Sequence, residues 1–154
     1  MTTVFVAAEK LMNWDSEGSL LVDRAAASIL ASHSENNRFI VYFAPSRFGM
    51  CFESRQETQE AWDYFAASLK FAGFTPNEVL LFEDEIQTAP FVDILASLDK
   101  EERAILYSND ELDAELSDSL GIRIVEEIPA NISSIWQRIN IRHAFKTLFA
   151  AIQA

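Results

Sequence analysis

Two short clusters of carboxylates are the residues of this sequence most able to do chemistry. They are Glu83, Asp84 and Glu85 in the first cluster and Asp110, Glu111 and Asp113 in the second. Carboxylates this close together can hold a divalent cation through their oxygens. They are also typical of a solvated loop, and at the start of a helix they interact favourably with the helix dipole. The pattern favours this second, structural interpretation for both clusters.

Nucleophiles and other metal ligands lack the partners that catalysis would need. Ser46 has no His and Asp at the spacing of a hydrolase triad, and Cys51, the single cysteine, has no evident activating base. Neither His33 nor His143 has another His or Cys at a zinc-ligand spacing. The four glycines form no phosphate-binding loop. We therefore expect no metal and no cofactor.

These side chains must be positioned by alternating strands and helices. Apolar runs predict strands over Thr3–Ala8, Arg38–Ala44, Glu78–Phe82, Arg103–Tyr107 and Ile122–Val125. Apolar residues at helical spacing predict helices over Ser19–Ser32, Glu57–Ala72, Pro90–Leu98, Asp110–Leu120 and Ser133–Ile152. This alternation predicts one three-layer, Rossmann-like α/β domain over residues 1–154, with a five-stranded parallel sheet flanked by helices. Such sheets bind ligands beyond the carboxyl ends of their strands.

The charge balance restricts the partners that the chain can have. It carries 24 acidic and 12 basic side chains, a net charge of −12. A surface this negative repels phosphate backbones, so we expect no nucleic-acid partner. It would attract a basic protein, and it would equally serve solubility alone.

The expected location is the cytoplasm, without contact to a membrane. No apolar run approaches the ~18 residues of a membrane-spanning helix. The first residues lack the basic and then apolar segments of a signal peptide. A single cysteine is consistent with a reducing compartment.

The loop Pro45–Ser54 has two interpretations, which the sequence leaves open. It contains Arg47, Phe48 and Met50, and these residue types are common anchors of protein interfaces. If the loop is exposed, it is a candidate contact surface. If it is tucked under the sheet, its apolar side chains belong to the core.

Three segments together resemble the haloacid dehalogenase-like (HAD) superfamily. The start VFVAAEKLMN is similar to that family's VFLDIDGVLN form, and IVYFAPSR is similar to its IVLSSSWR form. The segment Ala104–Val125 has the family's order of strand, acidic turn, helix, glycine and strand. The resemblance implies a Rossmann-like fold and a phosphate-transferring ancestor that uses Mg²⁺.

The residues that this family uses for catalysis are mostly replaced. The nucleophilic Asp falls on Ala7, the acid/base Asp on Glu9, and the following Gly on Lys10. The later acid pair falls on Ser108, Asn109 and Asp110, and only Ser46 keeps its type. Such chemistry needs a carboxylate nucleophile and a bound metal. The resemblance therefore implies a pseudo-phosphatase. If the protein is active, Glu9, Ser46 and Asp110 would form the site, with Glu9 and Asp110 holding Mg²⁺.

We predict a non-catalytic HAD-like domain that acts by binding a basic protein, for example an immunity or antitoxin-type protein that covers a basic toxin or nuclease. The predicted contact residues are Glu83, Asp84, Glu85, Asp110, Glu111 and Asp113, with Arg47 and Phe48 as anchors. The alternatives are a divergent Mg²⁺-dependent phosphatase and a degenerate NYN/PIN-like nuclease domain, since AILYSNDELDAEL is loosely similar to ILVSGDSDF. A small-molecule sensor also remains open.

Overall fold

A computed structural model describes residues 2–127 of the chain. Its strands are β1 (Thr2–Ala7), β2 (Met12–Trp14), β3 (Leu20–Val22), β4 (Asn37–Phe43), β5 (Glu78–Leu81), β6 (Arg103–Tyr107) and β7 (Arg123–Val125). Its α-helices are α1 (Arg24–Ser32), α2 (Arg55–Phe71), α3 (Ala89–Ala96) and α4 (Asp110–Leu120). Two single-turn 3₁₀ helices, Ala8–Leu11 and Pro45–Phe48, directly follow the central strand and its neighbour.

The main sheet has five parallel strands in the order β5-β4-β1-β6-β7. The first strand is central because the chain adds β4 and β5 on one side of it and β6 and β7 on the other. Between β1 and β6 the strand order reverses, and this is where sheets of this kind open a crevice. The predicted Rossmann-like α/β fold with a parallel five-stranded sheet is confirmed.

Both faces of the sheet are covered by helices, so the central strands are apolar on both sides. Val4, Phe39 and Val41 are buried in the cluster that contains α1 and α2 residues. Phe5 and Ile40, their neighbours in sequence, are buried in the cluster that contains α3 and α4 residues. A strand that points alternate side chains into two cores reads as a continuous hydrophobic run. This is why β1 and β4 could be predicted from their sequences.

One predicted helix begins later than the sequence pattern indicates. Ser19–Ser32 was predicted to be helical throughout, but Leu20–Val22 is a strand that pairs antiparallel with β2, and the helix starts at Arg24. Asp23 ends the strand and caps the helix, since its side chain accepts a hydrogen bond from the Ala26 backbone. The other predicted helices and strands within residues 2–127 lie within about two residues of their predicted positions, whereas β2 and the two 3₁₀ helices were not predicted. The predicted helix Ser133–Ile152 lies outside the described residues.

The turn of the β2–β3 hairpin explains why this short segment is extended. The Asp15 side chain accepts hydrogen bonds from the backbone N–H groups of Glu17 and Ser19 at 2.9 and 2.8 Å. Gly18 has φ +83°, a left-handed conformation that favours glycine. The hairpin follows the 3₁₀ turn after β1 and therefore starts at the crevice edge of the sheet.

Candidate functional site

The crevice at the carboxyl ends of β1, β4 and β6 contains an ion-pair network. Glu9 lies in the 3₁₀ turn after β1, and Arg47 lies in the 3₁₀ turn after β4. Asp113 comes from the first turn of α4, which follows β6. Three crossovers of the chain thus bring two carboxylates and one guanidinium to the same edge of the sheet.

Arg47 bridges the two carboxylates. Its Nη1 atom donates to Glu9 Oε2 at 3.0 Å and to Asp113 Oδ2 at 2.9 Å, while Nη2 donates to Asp113 Oδ1 at 2.6 Å. The pair with Asp113 is bidentate, the arrangement for which the planar guanidinium is best suited. The side-chain exposure is 18% for Arg47, 13% for Glu9 and 0% for Asp113. These charges are therefore largely removed from water. In such a low-dielectric environment the two partners of an ion pair are strongly coupled.

Asp113 is held by neutral donors as well as by Arg47. Tyr42 Oη donates to Asp113 Oδ2 at 2.6 Å, and Ser108 Oγ donates to the same oxygen. The backbone of α4 departs from helical geometry at Asp113, with φ −124° and ψ 16°. Burial acts to raise the pKa of Asp113, but the donors and the Arg47 charge outweigh it, so this pKa lies below its ordinary value. Asp113 is thus a buried, ionised and fully coordinated carboxylate.

Glu9 occupies a less favourable environment. Burial raises the pKa of Glu9 above its ordinary value, although the hydrogen bond and charge of Arg47 oppose this shift. Its Oε1 atom is buried and accepts no hydrogen bond from any described residue. Burial would lower the pKa of Arg47, but hydrogen bonds and charges from Asp113 and Glu9 raise it. The guanidinium is therefore a permanent cation between the two carboxylates.

A second set of polar contacts closes the other side of the crevice. Lys10 Nζ donates to Asn109 Oδ1 and to the Glu126 carbonyl oxygen, both at 2.8 Å, and lies 5.4 Å from the centre of the Tyr107 ring. Burial, followed by the hydrogen bond and charge of Glu126, raises the pKa of Asp110. Lys10 thus ties the turn after β1 to the ends of β6 and β7.

The residues predicted for an active site have separate partners. Glu9 binds Arg47, whereas Ser46 Oγ donates to the Asp84 carbonyl oxygen at 2.7 Å. Asp110 interacts with Glu126. Ala7, which the resemblance aligns with the nucleophile of HAD-like enzymes, is fully buried. The described residues therefore do not gather Glu9, Ser46 and Asp110 into one hydrogen-bonded site.

The residues predicted to contact a partner divide into exposed and buried groups. The exposed residues are Glu83, Asp84, Glu85 and Glu111, and Asp110 is half-buried. Asp113 is completely buried, which corrects its assignment to an acidic surface. Phe48 is 8% exposed and packs with its ring centroid 5.6 Å from that of Phe43, so it is a core residue and not an exposed anchor. Arg47 forms internal ion pairs with Glu9 and Asp113.

Sequence reasoning missed the role of two members of the network. Tyr42 stands inside a hydrophobic strand and reads as a core aromatic residue, and the sequence identifies Ser108 only as a position that aligns with the acid pair of HAD-like enzymes. Tyr42 is one residue before the carboxyl end of β4, and Ser108 is one residue after the carboxyl end of β6, so both lie next to the crevice. Their position relative to the crevice is the only signal that could have identified them.

The crevice does not fit a divalent cation. Within residues 2–127, no three His, Cys, Asp or Glu side chains are grouped closely enough to hold a metal ion. Glu9 and Asp113, the two carboxylates of the network, already share the positive charge of Arg47. A second cation would be repelled by that guanidinium and would have to displace it.

No protein-family model matches this chain, and neither the curated proteins nor the solved structures give a match. The fold and the network alone define its class, a three-layer Rossmann-like α/β protein whose strand-end crevice is filled by an internal Glu–Arg–Asp bridge. Among the described helices, none has the length and apolar character required to cross a membrane.

Proposed function

We propose that this protein is a non-catalytic, HAD-like domain that acts by binding a basic protein. The observation that carries the proposal is the Arg47 bridge between Glu9 and Asp113. In a metal-dependent phosphate-transferring enzyme, carboxylates at the strand ends must be available to a metal and to the substrate. Here an internal guanidinium pairs with both of them, so the crevice serves to hold the strand ends together.

The position that corresponds to the nucleophile supports the same conclusion. Ala7 is the last residue of β1 and has no exposed surface. An alanine methyl group can neither attack phosphorus nor hold a metal ion. The Ser46 hydroxyl is occupied by a backbone carbonyl at 2.7 Å. The scaffold is therefore retained while the groups that would do the chemistry are replaced or neutralised.

The charge distribution supports a basic protein as the partner. Residues 2–127 carry 24 acidic and nine basic side chains, a net charge of −15. The exposed cluster Glu83, Asp84 and Glu85 follows β5 directly, at the same edge of the sheet as the crevice. Electrostatic complementarity would speed encounter with a cationic surface and disfavour other partners. An immunity or antitoxin-type protein that covers a basic toxin or nuclease is one specific form of this function.

A cytoplasmic location belongs to the same proposal, and the single free cysteine supports it. Cys51 is exposed and is not part of a disulfide. An exposed thiol remains reduced in a compartment with a glutathione and thioredoxin system. This location is part of the proposal and is tested by fractionation of the native cells.

The proposal is tested by affinity capture from native lysate with matched charge variants. The test variant is Glu83→Gln/Asp84→Asn/Glu85→Gln. The control variant, Asp99→Asn/Glu101→Gln/Glu102→Gln, removes the same charge just before β6, at the opposite edge of the sheet. We expect the wild type and the control to retain one basic protein stoichiometrically, and the test variant to lose it. Equal retention by all three would contradict the proposed surface, and the absence of any stoichiometric protein would count against the function.

A parallel measurement separates this function from the phosphatase alternative. The purified protein is titrated calorimetrically with Mg²⁺ and Mn²⁺ and assayed with an aryl phosphate. We expect neither site-specific metal binding nor turnover. Hydrolysis that EDTA abolishes, and that Glu9→Ala or Asp110→Ala reduces, would overturn the non-catalytic assignment.

A further inference from the structure

The outward face of α2 carries large apolar side chains that pack against no other described helix. Phe71 is 88% exposed and Tyr64 is 70% exposed. They are seven residues apart and therefore lie on one side of the helix, two turns from each other. The opposite side of α2 is buried through Trp62, Phe65 and Leu69. The helix is thus apolar on the side that faces the sheet and again on the last two turns of the side that faces solvent, whereas Gln56 and Glu60 make the first turns of that outward side polar.

Tyr64 and Phe71 form an exposed aromatic stripe on α2, with Ala67 between them. The Tyr64 ring lies 5.6 Å from the ring of Phe65, in an edge-on arrangement that holds it against the body of the protein. Ala67, between the two aromatic residues, is exposed and small. A second helix could therefore approach closely at Ala67 and contact the aromatic side chains on both sides. Such spacing of large, small and large side chains suits helix–helix packing.

The charged residues beside the stripe are complementary to the same residues of a second, antiparallel copy of the helix. Asp63 and Lys70 are exposed and also seven residues apart, on one flank of the stripe. The Asp63 side chain accepts a hydrogen bond from Gln59 Nε2 at 2.9 Å. When two copies of a helix pair antiparallel about a two-fold axis, the same flank of each copy meets. An axis between residues 66 and 68 would place Asp63 of each copy opposite Lys70 of the other, and Tyr64 opposite Phe71.

We propose that two copies of this chain associate through the outward faces of their α2 helices, antiparallel and about a two-fold axis near Ala67. The aromatic register and the charge register agree to within one residue, and this agreement selects a second copy over an unrelated partner. A seventeen-residue helix offers a small contact. Since two chains of net charge −12 also repel each other, the dimer is weak and transient.

The dimer is tested by sedimentation equilibrium of the purified full chain, from low to high micromolar concentration at about 0.15 M salt, where the Debye length is roughly 8 Å. We expect a concentration-dependent dimer whose dissociation constant rises at least about tenfold in Phe71→Glu. The matched control is Val92→Glu. Val92 is an exposed apolar residue on α3, on the other side of the sheet, and its replacement should leave the dimer unchanged.

Charge reversal tests the antiparallel register. Asp63→Lys and Lys70→Glu should each raise the dissociation constant by roughly two- to tenfold, and the double variant should restore it, because both reciprocal ion pairs are then rebuilt. Circular dichroism establishes that each variant is folded. A wild type that stays monomeric throughout, a dimer that Phe71→Glu leaves intact, or a double variant no better than the single ones would each overturn the proposal. None of these outcomes depends on whether a basic partner exists.

Discussion

Asp113 is a fully buried carboxylate that the fold keeps ionised. It accepts hydrogen bonds from Tyr42 and Ser108 and a bidentate pair from Arg47. A buried charge is tolerated when it is paired and its lone pairs are satisfied. The cost of this arrangement appears when one partner is removed, because the remaining charge then lies in a low-dielectric environment without compensation.

Removal of the guanidinium should therefore destabilise the protein strongly. We expect Arg47→Ala to lower the free energy of unfolding by about 3–5 kcal/mol, since Asp113 would be buried without its cation. Urea denaturation followed by circular dichroism measures this change. Arg47→Lys keeps the charge but loses the bidentate geometry, so its loss should be intermediate. A loss below about 1 kcal/mol in Arg47→Ala would show that the bridge is as weak as an exposed surface pair.

The two carboxylates of the bridge should have opposite effects on the pH dependence of stability. The pKa of Asp113 lies below its ordinary value of 3.8, so only the unfolded state is protonated just below that pH. The stability that Asp113 contributes is present above pH 3.8 and is lost as the pH falls through its folded pKa. The pKa of Glu9 lies above its ordinary value of 4.5, so its contribution decreases as the pH rises from 4.5 to the folded pKa.

The Glu9→Gln variant separates these two effects. It should remove the decrease in stability just above pH 4.5 and leave the acid limb below pH 3.8 in place. The measurement is the thermal unfolding of the wild type and the variant at a series of pH values from below 3.8 up to neutral pH. An unchanged slope above pH 4.5 in the variant would mean that Glu9 titrates normally in the folded protein.

At the level of the elements, Asp23 is the residue that joins the hairpin to α1. Its Oδ1 atom accepts from the Ala26 backbone at 3.0 Å and caps the helix. Its Oδ2 atom accepts from Asn13 Nδ2 at 2.8 Å, and Asn13 belongs to β2. The side chain therefore specifies both where the hairpin ends and where the helix begins.

Replacement of this cap should cost about as much as the loss of a typical N-cap. We expect Asp23→Ala to lower the free energy of unfolding by about 1 kcal/mol, with a range of roughly 0.5–2. Asp23→Asn keeps one acceptor for the cap but places an NH₂ group where Oδ2 accepts from Asn13, so its loss should be smaller than that of Asp23→Ala. Equal losses in the two variants, measured by denaturant unfolding, would assign the effect to the charge or the Asn13 contact and not to capping.

At the scale of the whole molecule, the excess of acidic side chains opposes the compact state. The chain has a net charge of −12. Exposed carboxylates lie at both edges of the sheet, at Glu83, Asp84 and Glu85 after β5 and at Asp99 and Glu101 before β6, so like charges repel across the surface. The internal Arg47 bridge is shielded from solvent and should be much less sensitive to salt than these exposed charges.

Added salt should therefore stabilise this protein. We expect the melting temperature to rise between about 0.01 M and about 1 M NaCl, as the Debye length falls from roughly 30 Å to roughly 3 Å. The variant Asp99→Asn/Glu101→Gln/Glu102→Gln carries three fewer negative charges and should show a smaller rise. A melting temperature that falls with salt would indicate that favourable ion pairs outweigh the repulsion.

Much of the fold could be predicted because its central strands are buried on both faces. The strand predicted at Arg38–Ala44 lies at Asn37–Phe43, and the helix predicted at Asp110–Leu120 has the same bounds in the structure. The hairpin could not be predicted in the same way. Leu20 and Leu21 fit a helical face as well as a strand, and three residues are too few for an alternating pattern to be recognised.

The local sequence by itself determined the parallel α/β architecture and the excess of acidic side chains, since these depend on composition and on patterns within one element. Only the tertiary structure decided that Arg47 bridges Glu9 and Asp113, residues 38 and 66 positions away along the chain. The same is true of the burial of Asp113 and Phe48, which sequence reasoning had considered for an exposed surface. The physical reason is that a side chain's burial and partners depend on which strand ends the crossovers bring together, and no local pattern carries that information.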